Sequence, residues 1–169
     1  FGKNHPLTDK RISNVFDFSK LLKFSANIDY IFSNIASHSE LCIFHKEDYI
    51  KTLKNTESSQ KISDFNRKKY NLGTPSNPIF REMYRRHACA TGSLILAADL
   101  VTSKYDYIFS PGSGAHHGRS DRASGFCYFN DIITRILVLK NRGFKKILYY
   151  DMDAHYGDGV VEYFKNDPN

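Results

Sequence analysis

Tyr149-Tyr150-Asp151-Met152-Asp153-Ala154-His155-Tyr156-Gly157-Asp158-Gly159-Val160 is the stretch on which the fold turns. With Ile147 and Leu148 before it, an apolar strand over 146–150 is predicted, delivering three carboxylates and an imidazole at its end. Strand side chains alternate, which puts Asp151 and Asp153 on one face. So many ionisable groups at the end of an apolar strand cannot be buried without compensation. A cation resolves the conflict, and a carboxylate oxygen beside an imidazole nitrogen suits zinc.

Upstream, Tyr105-Asp106-Tyr107-Ile108-Phe109 reads as a second strand, ended by Pro111-Gly112-Ser113-Gly114. Asn130 or Asp131 can cap a helix through Ile132, Ile133, Ile136, Leu137 and Leu139 that stops near Gly143. Val160 to Phe164 starts a further helix. Strand, loop, helix, strand, helix is the order of a parallel α/β sheet with right-handed crossovers. Ligands in such sheets sit beyond the carboxyl ends of the strands, where 116–117 and 151–158 both fall. Nearer the start, helical spacing from about Ile12 to Phe24 predicts a helix carrying Val15, Phe16, Phe18, Leu21 and Leu22. Leu41-Cys42-Ile43-Phe44 reads as a short strand, His45 to Leu53 as a helix, and Lys54 to Lys69 as a polar surface excursion. A tight turn over 73–78 precedes a long helix with a buried face, ending about Thr102. No repeat or boundary interrupts the chain, so one domain over 1–169 is expected.

Composition bounds the rest. At 169 residues and 41% hydrophobic, the chain can build one core. Its net charge of +6 is spread along the sequence, which favours a solubility role, and no aromatic–basic motif points to specific nucleic-acid binding. Three cysteines without CxxC spacing suit a reducing compartment. No apolar run reaches membrane length and no signal segment opens the chain, so a soluble cytoplasmic protein is expected, with no membrane partner. A start without Met and an end at Asp-Pro-Asn lead us to expect a fragment.

The second cluster is Gly112-Ser113-Gly114-Ala115-His116-His117-Gly118, followed by Ala123-Ser124-Gly125-Phe126-Cys127-Tyr128-Phe129-Asn130-Asp131. Glycines let backbone approach a ligand closely. Adjacent histidines can work as paired acid and base, and Asp151 and Asp158 can orient them. A tandem histidine pair alone is more often a solvated loop, and Phe126 alone is more often core. The two clusters together at strand ends favour a site. Cys127 reads as a small buried hydrophobe. His5, His38, His45 and His87 lack partner patterns, and no chemistry is assigned to them.

These segments resemble the zinc-dependent histone deacetylase family, in its bacterial histone-deacetylase-like and acetoin-utilisation branch. The matched residues are 114–117, 123–131 and 151–160, with weaker similarity at His5-Pro6 with Arg11, His45 to Tyr49, and Asn71 to Phe80. The resemblance implies a three-layer parallel-sheet arginase/deacetylase-like fold, here truncated to its N-terminal portion. It implies Asp153 and His155 as two of three zinc ligands, and His116 and His117, placed by Asp151 and Asp158, as the catalytic pair. Gly125 and Phe126 match the lining of an acyl-lysine tube, and Arg11 an arginine of an internal acetate channel. Asp151, Asp153 and the His155 carbonyl match part of a structural K+ site. The implied reaction is hydrolysis of the acetamide of acetyl-lysine, on a protein or peptide, to acetate and a free amine.

Departures from the family's pattern set further expectations. The third zinc ligand and an oxyanion-stabilising tyrosine are expected beyond Asn169, so this chain alone should turn over little or nothing. Ser76 stands where the family has a rim aspartate, which weakens the grip on a substrate backbone and keeps open a small acetylated amine, such as an acetylpolyamine, as substrate. Tyr156 replaces a common second histidine, and Ser113 a glycine. A binuclear manganese ureohydrolase would need an aspartate where Gly157 stands. A catalytically incomplete binding module is the non-enzymatic alternative.

Overall fold

Side-chain caps at Ser37, Ser63 and Asn130 start three of the helices among the described residues. The computed structural model describes residues 11–23 and 28–167, apart from the Arg11 side chain. Among them run α1 (Arg11–Leu21), α2 (His38–Leu41), α3 (Glu47–Ser59), α4 (Asp64–Tyr70), α5 (Met83–Val101), α6 (Asp131–Asn141) and α7 (Asp158–Phe164). The apolar spacing that predicts α1 holds, yet Val15, Phe18 and Leu21 remain exposed. The predicted end at Phe24, and the leading segment with His5 and Pro6, lie outside the described residues.

The strand predicted at 41–44 is a helix end. Ser37 and Glu40 form a capping box: Ser37 N–H donates to Glu40 Oε2 at 2.6 Å and Glu40 N–H to Ser37 Oγ at 3.3 Å. Such a cap contributes about 1 kcal/mol, enough to fix one turn against an apolar run too short to need a sheet. The polar stretch 54–69 is also more ordered than its composition suggests. α3 runs on to Ser59, turning Thr56 inward. Ser63 then accepts the Asn66 N–H at 3.3 Å to start α4, and Asn71 ends it at φ 53°. Tyr70 pins α4 through the core and its hydroxyl, 3.0 Å from Asp48 Oδ2.

The long helix α5 and the Asn130-capped α6 form as predicted and pack on each other. The segment before α2 crosses α5 at Gly92, where a Cβ would lie 2.2 Å from the Asn34 carbonyl oxygen. Ala36 N–H donates to Ala88 O there at 3.0 Å. Leu41, Tyr49, Leu53, Met83, Tyr128 and Phe129 belong to one core cluster.

The predicted strands at 105–109 and 146–150 do not form a sheet. Both segments keep a period-two burial, with Ile108, Ile147 and Tyr149 turned in and Tyr107, Phe109, Leu148 and Tyr150 out. No backbone ladder joins them among the described residues, where the one isolated bridge is Ser124–Cys127. A ladder needs strands about 4.8 Å apart. Instead the inward side chains stand around a cavity of about 400 Å³ bounded by α5 and α6. The three-layer parallel sheet is therefore not formed within these residues, although the segments that would build it carry its burial pattern.

Candidate active site: two histidine–carboxylate pairs

The N-terminus of α6 clasps the double-histidine loop. Asn130, fully buried, accepts the Ile133 N–H at 3.0 Å as the helix cap. Its Nδ2 donates to the carbonyls of His116 (3.2 Å) and Gly118 (3.1 Å). Asp131 accepts N–H groups from Ala115 (2.9 Å) and Gly114 (3.2 Å). Burial pushes the Asp131 carboxyl up to about 6, with those N–H donors pulling the other way. The folded state thus holds this proton more tightly than the unfolded chain, whose carboxyl titrates near 4. Its contribution is full below about pH 4 and is lost as pH rises through 6, about 3 kcal/mol in all. Buried His45 and His87, lowered by desolvation to about 3 and about 4, give the opposite slope over much of the same range. The expected result is therefore a difference: unfolding free energies of wild type and Asp131→Asn, from denaturant titrations, change relative to one another between pH 4 and 7, against the wild type. Parallel curves would contradict a buried, proton-retaining Asp131.

Each histidine is held by its own carboxylate. His116 Nδ1 lies 2.7 Å from Asp151 Oδ2 and His117 Nδ1 2.6 Å from Asp158 Oδ1. Since a carboxylate accepts, both Nδ1 atoms carry protons. The two Nε2 atoms are left facing each other at 3.0 Å. Each carboxylate also has a second donor. Asp151 accepts from the Tyr149 hydroxyl; Asp158 accepts from Arg119, which also reaches Glu162. Burial pushes the Asp151 carboxyl up, but Tyr149, the Asp153 N–H and His116 outweigh it and hold it at about 2. Asp158 is likewise pushed up by burial and held below the ordinary range by His117 and Arg119.

The Asp-x-Asp-x-His segment reaches this pair as a loop of successive Asx-turns, not as a strand end. Asp151 Oδ1 accepts the Asp153 N–H at 3.0 Å and Asp153 Oδ1 the His155 N–H at 2.7 Å. Gly157 and Gly159 let it lie flush: a Cβ at Gly157 would stand 2.7 Å from Asp151 Oδ2, and one at Gly159 2.4 Å from the His116 carbonyl oxygen. The premise of buried carboxylates does not hold for the expected metal ligands. The side chains of Asp153 and His155 are 51% and 78% exposed. Asp153 Oδ1 and His155 Nδ1 are nonetheless 2.7 Å apart, and the His155 ring centre is 6.2 Å from that of His117. Donor atoms on tetrahedral zinc are about 3.3 Å apart, so this oxygen and nitrogen fit two of its positions with a small separation. Among the described residues no group of three or more His, Cys, Asp or Glu gathers that could hold a metal.

Gly125 and Phe126 sit in a two-residue hairpin turn closed by Ser124 and Cys127, with φ of +51° and +65°. Gly125 packs on His117; a Cβ there would lie 2.4 Å from the imidazole Cδ2. A left-handed phenylalanine is strained by about 1–2 kcal/mol, and buried Asn77 supports it. Asn77 Oδ1 accepts the Phe126 N–H at 3.1 Å and Nδ2 donates to Asn71 O at 3.1 Å. Asn77→Ala should lower the unfolding free energy by about 1–3 kcal/mol, measured by denaturant titration; no change would remove this support from the account. Ser76 is exposed beside it. Arg11 opens α1, but its side chain, and with it the acetate-channel expectation, lies outside the described residues.

Sequence reasoning passed over Tyr149, Arg119 and Asn77, and read Asn130 only as a cap. The available signal was Arg119 lying two residues after His117, and an asparagine in a turn facing a left-handed segment.

The sequence matches the histone deacetylase domain over residues 5–169. It is 33% identical to the acetoin utilization protein AcuC of Bacillus subtilis (strain 168), over 100% of this chain and 44% of that protein. It is 34% identical to type-1 histone deacetylase 1 of Dictyostelium discoideum, over 97% and 33%. The structure matches the crystal structure of an HDAC homologue from Aquifex aeolicus with a TM-score of 0.90 and 40% identity, covering 97% of this chain and 44% of that one. The same figures hold for an HDAC homologue complexed with SAHA. The chain thus spans less than half the length of these relatives.

Proposed function

We propose, given that this chain belongs to the histone deacetylase domain family, that it forms part of a zinc-dependent deacetylase acting on the acetamide of acetyl-lysine. The supporting observation is the pair of histidines whose Nδ1 atoms are committed to Asp151 and Asp158 and whose Nε2 atoms converge at 3.0 Å. Two such groups give one base to take the proton of an attacking water and one acid to protonate the leaving amine. Asp151 and Asp158 keep each imidazole in one tautomer, so neither ring has to turn between the two proton transfers.

Asp153 and His155 are the residues that would hold zinc, which when bound supplies Lewis-acid polarisation of the amide carbonyl and acidification of water. Catalytic zinc sites use three protein ligands; we place the third outside residues 1–169, and expect the isolated chain to hydrolyse no acetamide. A structural monovalent cation would use Asp151, Asp153 and the His155 carbonyl. Gly125 and Phe126 would flank the acyl-lysine stem, with Ser76 at the rim.

The substrate class is tested on the intact protein by comparing kcat/KM for an acetylated-lysine peptide and for acetylspermidine. Preference for the peptide is expected. Preference for acetylspermidine would assign the protein to small acetylated amines, and hydrolysis of neither would overturn the reading.

A further inference from the structure

We infer that His45 is a positioning residue for the His116–His117 pair, acting through Asn130. The inference rests on the acid–base reading of that pair and extends it to a residue outside the cleft.

His45 is 2% exposed and surrounded by rings, its centre 4.6 Å from Phe44, 5.0 Å from Phe129 and 5.9 Å from Tyr49. Its Nε2 lies 3.0 Å from the backbone nitrogen of Asn130. A backbone N–H only donates, so Nε2 is the acceptor and the ring proton sits on Nδ1. The opposite nitrogen has no geometrically good partner. A buried polar edge left in that condition is costly in an aromatic core, so simple packing does not account for a histidine here. Its well-formed hydrogen bond is the one to Asn130; the backbone of Arg119 and Ser120 also acts on the ring, without good hydrogen-bond geometry.

That bond controls a residue whose side chain makes three further ties. Asn130 caps α6 through Ile133 and grips the carbonyls of His116 and Gly118. The Asn130 N–H has no helical partner, being the cap, and His45 supplies the acceptor. One helical turn on, Tyr49 fastens the same strip, its hydroxyl donating to Tyr128 O at 2.6 Å. Lys46 N–H donates to Ser120 O at 2.8 Å, just past the histidine loop. The first turn of α3 therefore grips both segments that frame the histidines. Burial, which lowers the His45 pKa to about 3, keeps its Nε2 an acceptor throughout the neutral range.

The test uses the intact, zinc-loaded protein and three variants. His45→Phe keeps the aromatic packing and removes the acceptor; His45→Gln restores an acceptor. Both are read by kcat and KM on an acetylated-lysine peptide and by NMR of the two hydrogen-bonded Nδ1–H protons of His116 and His117. Expected for His45→Phe is a roughly tenfold or greater fall in kcat, KM within about twofold, and shifted or lost Nδ1–H signals. His45→Gln should recover most of both. A His45→Phe protein with lowered melting temperature but unchanged kcat and unchanged Nδ1–H signals would reduce His45 to a packing residue and overturn the inference. If His45→Phe does not fold, Asn130→Ser decides: it keeps the α6 cap but cannot hold the two carbonyls, and unchanged signals there are equally fatal. Should the wild type show no hydrolysis, the functional reading fails by itself, while the NMR signals still report whether His45 positions the pair.

Discussion

Replacing His117 by alanine in the intact, zinc-loaded protein is expected to lower kcat for an acetylated-lysine peptide by about 10²–10⁴-fold, with KM little changed. The ring is one of the two groups through which a proton can pass. Its loss leaves His116 Nε2 without the partner now 3.0 Å away. It also leaves the Asp158 carboxylate, now 2.6 Å from His117 Nδ1, with Arg119 and the Gly159 N–H as its remaining side-chain and backbone donors. Gly125 packs on the His117 ring but is held by its own turn, so most of the loss is expected on the chemical step. Asp158→Asn should give a smaller loss, because the imidazole remains and only its tautomer is freed. Steady-state kinetics of the two variants check this ordering. A His117→Ala enzyme within about threefold of wild type would remove the histidine pair from the chemistry.

The second large effect is on stability. Gly159→Ala is expected to lower the unfolding free energy by about 3 kcal/mol. The added Cβ would stand 2.4 Å from the His116 carbonyl oxygen, and 2.9 Å from both the Gly118 oxygen and the His117 carbonyl carbon. All three are backbone atoms, and Asn130 already holds the two oxygens, so no side chain can swing aside. The substitution favours a helix by about 1 kcal/mol on intrinsic grounds, which makes a net loss the more telling. Gly112→Ala is the control: nothing lies within 4 Å of its Cβ position, and a change within about 0.5 kcal/mol is expected. Differential scanning calorimetry of both variants tests the pair. A Gly159→Ala protein as stable as Gly112→Ala would mean that α7 does not press on the histidine loop.

What the sequence revealed follows from how local each cause is. Asn130 followed by an apolar helical pattern is a complete local instruction, and α6 starts where it says. Spacing alone likewise foretold α5, and chemistry-bearing residues at 116–117 and 151–158 foretold two histidine–aspartate pairs that the fold brings within hydrogen-bond reach. The failures have non-local or competing causes. Leu41 to Phe44 is apolar, but the Ser37–Glu40 box three residues earlier dictates a helical turn. Residues 54–59 and 64–70 look like loop because a solvated helix face shows only Lys, Asn and Ser, its single anchors being Thr56 and Tyr70. The segments 105–109 and 146–150 have strand patterning, yet a sheet is a relation between segments, and no backbone ladder joins these. For Gly157 and Gly159, only the path of the backbone shows that His116 lies against them. His45 shows no partner pattern in the sequence, since its partner is 85 residues away.

Acetate release by the intact protein tests the central claim most directly. With zinc bound, an acetylated-lysine peptide should yield acetate and deacetylated peptide in equal amounts, with the activity lost on chelation and restored by zinc. Zinc-loaded protein that releases no acetate, or releases it equally well after complete metal removal, would contradict the account.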